Sequence, residues 1–120
     1  MDLQTGNIVV TDWGNHRVQV FDERGAFLFM FGSRGSGESQ FTGVKGVAVT
    51  EQGLIVVTDT NNHRVQVFNQ RGEFVCLFGS KGDGDGQFER VSGVAVDPRS
   101  GNLITSDWRF CGIQLFQPNF

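Results

Sequence analysis

Tyrosine is absent from this chain of 120 residues, and proline and cysteine occur only twice each. Two cysteines, Cys76 and Cys111, are too few for the disulfide framework of a small secreted domain, and the count fits a reducing compartment. No apolar run approaches the roughly 20 residues that cross a bilayer as a helix. Residues 1–6 lack the apolar core of a signal peptide. These absences predict a cytoplasmic protein without a membrane partner.

Basic charge is also scarce, with 10 Lys and Arg residues against 13 Asp and Glu residues and a formal net charge of −3. The chain is therefore not a uniformly basic nucleic-acid binder, although a local basic face is still possible. Glycine and phenylalanine, in contrast, are abundant, with 17 and 12 residues. Many glycines and few prolines among Val and Phe predict short strands joined by tight turns.

An internal repeat determines the architecture. Residues 6–50 align without gaps with residues 53–97, and 28 of the 45 aligned positions are identical. The segment Ile8–Asp12, for example, returns as Ile55–Asp59. A third and more divergent copy follows with a one-residue insertion, beginning at Leu103–Asp107. Self-similarity at such a period indicates a repeat architecture.

Each period contains four short strand-like runs. The segment Val65–Val67 alternates as a half-buried strand does, whereas Phe27–Phe31 is nearly continuous, as is typical of a strand covered on both faces. No stretch has a convincing helical period, so we expect almost no helix. Four antiparallel strands in roughly 45 residues are typical of a β-propeller blade, which buries its faces only against neighbouring blades. The predicted fold class is all-β. In the second copy the predicted strands are Gly46–Thr50, Leu54–Asp59, Arg64–Phe68 and Phe74–Phe78.

The repeated motif Asp-x-x-Asn-His-Arg-Val-Gln-Val-Phe, at residues 12–21 and 59–68, resembles the NHL repeat. The accompanying Phe-Gly-Ser-(Arg/Lys)-Gly-x-Gly-x-x-Gln-Phe and Gly-Val-Ala-Val segments look most like those of TRIM-NHL proteins. The resemblance implies a propeller at the C-terminus of a RING, B-box and coiled-coil E3 ubiquitin ligase. It also implies that the propeller recognises RNA or protein substrates.

The resemblance further implies a six-bladed ring, which needs about 260–290 residues at roughly 45 per blade. We therefore expect about two and a half four-stranded blades here, with the ring closed by remaining blades or by self-association. The third copy departs from the motif, since Phe110, Cys111 and Gly112 stand where the second copy has Asn62, His63 and Arg64. The expected organisation is a partial propeller over residues 1–120, with repeat 1 at 6–52, repeat 2 at 53–100 and a degenerate, truncated repeat 3 at 101–120.

The aspartates that end the second strand of each copy are Asp12, Asp59 and Asp107. Because every copy carries one, we interpret them as structural rather than catalytic. A carboxylate at this point can accept hydrogen bonds from backbone N–H groups of the following turn. For Asp59, the expected donors are the N–H groups of residues 61–64.

The Asn and Arg residues of the motif complete the predicted structural turn. Asn15 and Asn62 are expected at a left-handed backbone position, which Asn tolerates better than most residues. Arg17 and Arg64 open the third strand. We expect them to brace neighbouring blades or loops rather than to bind a ligand.

Neither a metal, a cofactor nor a catalytic site is predicted. His16 and His63 are the only histidines, and equivalent atoms in neighbouring blades lie roughly 10 Å or more apart, too far to share one metal. Residues 83–86 echo a calcium loop but lack its remaining ligands, and residues 32–35 lack the ending of a phosphate loop. No Ser-His-Asp or Cys-His arrangement has independent support. Any ligase activity would therefore belong to the RING that the resemblance implies elsewhere in the parent protein.

Binding is expected on the loops, because a scaffold of strands commonly presents its functional residues there. In a propeller, the loops between second and third strands share one rim with the connections from one blade to the next. Trp13 and Trp108 stand at the same loop position, where the second copy has Thr60. Exposed aromatics there could contact a partner, or they could fold back onto the neighbouring blade. The rim also includes Lys45, Asn61 and Arg90, together with acidic residues. The predicted partner-binding residues are Trp13, Arg34, Lys81, Trp108 and Arg109.

The partner that this rim predicts is a protein substrate or scaffold. The alternative is single-stranded RNA, which the same aromatic and cationic side chains could bind by stacking and phosphate contact. Because the chain has a net negative charge, we favour a protein partner over RNA.

Overall fold

Three antiparallel sheets lie face to face as consecutive blades of a β-propeller. A computed structural model of the protein describes residues 1–108 and 112–117. Blade 1 contains β1–β3, blade 2 contains β6–β9 in that order, and blade 3 contains β12–β14. The four strands of blade 2 confirm the predicted all-β pattern. The strands are β1 (Ile8–Asp12), β2 (Arg17–Phe21), β3 (Phe27–Phe31), β4 (Ser33–Arg34), β5 (Gln40–Phe41), β6 (Val44–Val49), β7 (Ile55–Asp59), β8 (Arg64–Phe68), β9 (Phe74–Phe78), β10 (Ser80–Lys81), β11 (Gln87–Phe88), β12 (Val91–Val96), β13 (Leu103–Asp107) and β14 (Gly112–Phe116).

The hydrophobic core lies between the blades. Every residue of β7 and β8 is buried, because blade 1 covers one face of blade 2 and blade 3 covers the other. Alternation along β7 sends Ile55 and Val57 toward blade 1 and Val56 toward blade 3. The cluster between blades 1 and 2 contains Val18, Phe41, Val44, Ile55, Val57 and Phe68, and the cluster between blades 2 and 3 contains Val56, Val65, Val67, Phe88, Val91 and Leu103.

The outer strand of blade 1 differs from the sequence prediction. The segment Phe27–Phe31 was expected to be covered on both faces, yet Leu28 and Met30 are exposed. Its strand, β3, pairs only with β2 and forms the outer edge of its sheet. A continuous apolar run therefore does not distinguish an outer strand from a central one.

A single turn of 3-10 helix connects β1 to β2 in blade 1, at Trp13–Asn15, and β7 to β8 in blade 2, at Thr60–Asn62. The prediction that the asparagines take the left-handed conformation is wrong, because His16 and His63 do so instead, at φ 53° and 55°. The 3-10 turn keeps each Asn in a helical conformation, and the chain reverses one residue later. Within residues 1–108 and 112–117, no helix is long and apolar enough to cross a membrane.

Threonine hydroxyl groups cross the seams from β1 to β6 and from β7 to β12. Thr11 Oγ1 donates to the carbonyl of Lys45 at 2.8 Å, and Thr58 Oγ1 donates to the carbonyl of Ser92 at 2.7 Å. Gly46 lies against the same stretch of blade 3, and a Cβ atom there would collide with the carbonyl of Ser92. The inner strands thus approach closely because one of them carries glycine.

Gly46→Ala should therefore destabilise the fold by about 1–3 kcal/mol, because the added methyl group forces the inner strands of blades 2 and 3 apart. Urea denaturation followed by tryptophan fluorescence measures the loss. Gly14→Ala is the matched control, since no atom lies within 4 Å of its added Cβ. Equal stability of the two variants would contradict the close approach of the inner strands.

Candidate functional site

A buried carboxylate organises the loops of blade 2. Asp59 is fully buried and accepts three hydrogen bonds, from Thr42 N at 2.9 Å, Asn62 Nδ2 at 2.8 Å and Arg64 Nε at 3.0 Å. A buried charge is tolerated when it is paired and hydrogen-bonded in this way. Asp59 therefore links the turn after β7 to the connection that enters blade 2.

Arg64 extends this network into the same connection. Its guanidinium donates to the carbonyls of Ser36, Gly37 and Gln40 at 2.8–2.9 Å. The planar, multidentate guanidinium suits this role better than an ammonium group would. Arg64 thus contacts the long loop between blades 1 and 2 at three points, and the side chains of Asn62 and Gln66 add further hydrogen bonds to the same loop.

The backbone donors to the aspartates differ from the prediction, which placed them in the following turn; Asn62 of that turn and Arg64 at the start of β8 contribute only their side chains to Asp59. That turn satisfies its own backbone, since the N–H of His63 donates to the carbonyl of Thr60 at 3.1 Å. The carboxylate faces the preceding connection instead. Asp107 repeats the arrangement in blade 3, where it accepts from the N–H groups of Glu89 at 2.7 Å and Arg90 at 3.0 Å.

The copy in blade 1 is more open to solvent. Asp12 accepts hydrogen bonds from the side chains of Asn15 at 3.1 Å, Arg17 at 2.9 Å and Gln19 at 3.2 Å. The exposed fraction of its side chain is 22%, against 0% for Asp59. The hydrogen bonds from Asn15 and then from Arg17 are the largest causes that lower the pKa of the Asp12 carboxyl group.

Asp59→Ala should lower the free energy of unfolding by about 3–5 kcal/mol, because it leaves the Arg64 charge buried without its partner. The matched Asp12→Ala variant should lose much less stability, since its pair is partly exposed and screened by solvent. Urea denaturation of both variants measures the difference. An unchanged stability of Asp59→Ala, accompanied by altered binding, would assign Asp59 to a functional rather than a structural role.

The lowered pKa of Asp12 also predicts a pH dependence. Because the folded state has the lower pKa, the stabilisation is complete above the unfolded pKa of about 3.9 and is lost as the pH falls through the folded value. Denaturation curves between pH 5 and pH 2 should therefore decline less steeply for Asp12→Asn than for the parent protein. Identical slopes would show that the carboxylate contributes nothing to acid unfolding.

The two tryptophans project from the rim. The exposed fractions are 67% for Trp13 and 68% for Trp108. The guanidinium carbon of Arg90 lies 5.8 Å from the centre of the Trp108 ring, within the range of a cation–π contact. Neither indole is folded back into a blade, so both offer aromatic surface to solvent.

A groove of about 390 Å³ opens beside Trp13, between the loops of blades 1 and 2. We call it the rim groove. Two cationic residues, Lys45 and Arg90, contribute to its walls, and none of the described lining residues is a carboxylate. Its lining residues are Thr11, Trp13, Gly43, Val44, Lys45, Thr60, Asn61 and Arg90.

The predicted binding residues are only partly brought together. Trp13 lines the rim groove, and Trp108 contacts its wall residue Arg90. Arg34 and Lys81 are exposed on the connecting strands β4 and β10 but do not line the groove. Arg109 lies outside the described residues. The sequence placed Lys45 and Arg90 on the rim without selecting them, although both stand at positions where the two copies differ.

An apolar cleft of about 390 Å³ lies between the outer part of blade 2 and blade 3, where Cys76 and Phe116 contribute to its walls. Burial raises the pKa of the Cys76 thiol, which keeps it protonated and weakly nucleophilic at neutral pH. Among residues 1–108 and 112–117, no group of three His, Cys, Asp or Glu side chains could hold a metal ion.

Comparison with known proteins identifies the repeat. Residues 1–21 and 41–68 match the family model of the NHL repeat. The chain contains NHL repeats. The matched residues include the Asp, Asn and Arg positions of blades 1 and 2, so the buried hydrogen-bond network around Asp59 belongs to an NHL repeat.

The relatives extend this assignment to the fold. Protein brain tumor from Drosophila melanogaster is 46% identical over 43 residues, which make up 36% of this chain and 4% of that protein. The hydrazine synthase of Kuenenia stuttgartiensis superposes with a TM-score of 0.63 at 17% identity, over 96% of this chain and 33% of that one. This likeness supports the propeller fold alone. The chain thus spans 4% of the length of the first of these proteins and a third of the second.

Proposed function

We propose that this NHL chain is a non-catalytic recognition module that binds a protein partner through its loop rim. The observation that carries the proposal is the row of exposed aromatic and cationic side chains formed by Trp13, Lys45, Arg90 and Trp108. Tryptophan and arginine dominate the energetic centres of protein interfaces, because they bury a large area with few lost rotamers. Large exposed indoles have a solvation cost that a purely structural loop avoids.

Buried hydrogen bonds hold the connections next to this row in place. Asp59 and Arg64 fix the connection between blades 1 and 2, and Asp107 fixes the backbone at Arg90. A surface that is ordered before binding loses less conformational entropy when the partner arrives. Preorganisation therefore supports the rim as the recognition surface.

Single-stranded RNA is the second candidate, favoured by one specific observation. Two exposed indoles beside cationic side chains are the combination that lets a protein stack bases and contact phosphates. The formal net charge of −3 opposes a long polyanion. We therefore rank RNA below a protein partner.

The module would serve as the substrate-binding part of a TRIM-type ubiquitin ligase in the cytoplasm. The repeat motifs support this context through their resemblance to TRIM-NHL proteins. In that setting, the RING of the parent protein would transfer ubiquitin, and the NHL chain would select the substrate.

Rim variants test the proposal. A partner isolated on the affinity-tagged chain would be purified and titrated against the parent chain, Trp13→Ala and Arg34→Glu. Trp13→Ala should weaken binding by about tenfold or more, as expected for a residue in the energetic centre of an interface, whereas Arg34→Glu should weaken it less because Arg34 lies outside the rim groove. Isothermal titration calorimetry at several salt concentrations gives the affinities. A shallow salt dependence indicates a protein partner, whereas a steep one indicates phosphate contacts and RNA.

Arg71→Glu is the matched control on the opposite rim. Arg71 lies in the turn between β8 and β9, and its side chain is 82% exposed. Its reversal changes the net charge by the same amount as Arg34→Glu does. Loss of binding in the Arg71 variant alone would place the recognition surface on the other rim and contradict the proposal.

A further inference from the structure

We propose that the rim groove is a pocket for a carboxylate side chain from an acidic, extended segment of a protein partner. This inference rests on the proposed recognition function and adds the chemistry of the ligand. It is carried by a comparison of the two seams that blade 2 makes with its neighbours.

The seam between blades 2 and 3 is closed at the rim. Thr60 is buried, and its Oγ1 donates to the carbonyl of Val91 at 2.6 Å. His63 Nδ1 lies 2.7 Å from the carbonyl of Glu89. These two hydrogen bonds tie the loop of blade 2 to the entrance of blade 3.

The seam between blades 1 and 2 lacks both hydrogen bonds. Trp13 stands at the position of Thr60 and carries no hydroxyl, and His16 Nδ1 makes no hydrogen bond within the described residues. Two residues before Trp13, the hydrogen bond from Thr11 to the carbonyl of Lys45 still closes the seam below the rim. The rim groove is therefore open at the rim and closed at its base. It lies where Trp13 of blade 1 replaces the Thr60 of blade 2.

The two copies of the repeat also differ at the groove. Over the 45 aligned positions, 28 are identical. The eight lining residues occupy six aligned positions, because Trp13 aligns with Thr60 and Gly43 aligns with Arg90, and only the positions of Thr11 and Val44 are identical. Packing one blade on the next does not require the other four positions to differ. The lining residues that differ are Trp13, Gly43, Lys45, Thr60, Asn61 and Arg90.

Charge identifies the ligand as an anion. Lys45 and Arg90 are exposed, and neither forms a salt bridge within the part of the chain that the structure describes. At the seam between blades 2 and 3, the position of Lys45 is occupied by Ser92. A carboxylate between an ammonium and a guanidinium forms charge-assisted hydrogen bonds, and Trp13 offers a flat apolar wall to the rest of the segment.

The pattern of charge favours a peptide over RNA. Sites for single-stranded nucleic acid combine stacking with a positive groove that follows the backbone over several nucleotides. Here two cations line the rim groove, whereas the exposed connections between the blades carry mixed charge, with Glu38, Asp83 and Asp85 near Arg34 and Lys81 in the sequence. Mixed charge does not offer successive phosphates a continuous positive groove, whereas a single acidic side chain needs only the two cations of the pocket.

Repeat-swap variants test the pocket with defined probes. A fluorescein-labelled oligoglutamate peptide, its oligoglutamine counterpart and an oligouridylate would each be titrated into the full chain by fluorescence anisotropy. We expect only the oligoglutamate to bind. Trp13→Thr should abolish its binding without lowering the melting temperature, because threonine restores the seam bond seen at Thr60. Lys45→Ser should weaken binding by about tenfold, since one charge-assisted contact is lost.

Arg71→Glu serves as the control and should leave the oligoglutamate affinity unchanged. Unaltered affinity in Trp13→Thr or Lys45→Ser overturns the pocket, as does equal binding of oligoglutamine or tighter binding of the oligouridylate. If the purified partner needs Trp13 but oligoglutamate neither binds nor competes, the pocket inference fails while the recognition function stands. If rim variants leave partner binding intact, the recognition function itself fails.

Discussion

Burial of both faces of each four-stranded sheet is the constraint on which the rest of the structure depends. Blade 2 sends Ile55 and Val57 to one neighbour and Val56 and Val65 to the other, and all four side chains are almost completely inaccessible. A sheet of this kind has no polar face of its own, so its stability is shared with the sheets beside it. Sequence variation is thereby restricted on both faces and is tolerated mainly at the loops.

The backbone of the loops is nevertheless held in position by a network of buried polar side chains. Asp59 and Arg64 lie in a site where an unpaired charge would be costly, and their hydrogen bonds reach the connection between two blades. The same residues that satisfy a buried charge therefore fix the backbone of the rim. This arrangement explains how an NHL repeat can change its rim side chains while keeping the position of its loops.

The sequence predicted the strands well because two physical signals agreed. The repeat defined the period, and the apolar runs at Ile55–Asp59 and Arg64–Phe68 defined the central strands within it. The hydrogen-bond partners of Asp59 were harder to predict, since its backbone donor at Thr42 lies 17 positions earlier in the chain. The left-handed residue was misassigned because Asn and His are adjacent, and their intrinsic preferences favour Asn over His.

The rim groove could not be predicted from local pattern, because its walls come from four separate segments of the chain. The available signal was the difference between the copies, in particular Trp13 for Thr60 and Lys45 for Ser92. Positions shared by both copies meet the common demand of packing one blade on the next. Residues that differ between the copies within the same loop are not determined by this packing. At the rim groove they include the aromatic Trp13 and the cationic Lys45, which suit contact with a partner.

The exchange of Thr for Trp at the rim lowers the stability of this seam. Thr60 gains a hydrogen bond to Val91, whose net contribution to stability is about 0.5–1.5 kcal/mol. Trp13 forgoes that contribution and exposes an indole to water. The packed blade faces keep the fold stable despite this local loss of stability. The seam itself remains closed below the rim by the hydrogen bond from Thr11. The loss of stability is confined to one loop position. Beside that position lie Lys45 and Arg90, which form no salt bridge among the described residues. A binding surface commonly costs stability in this way, and here the packed blades tolerate the cost.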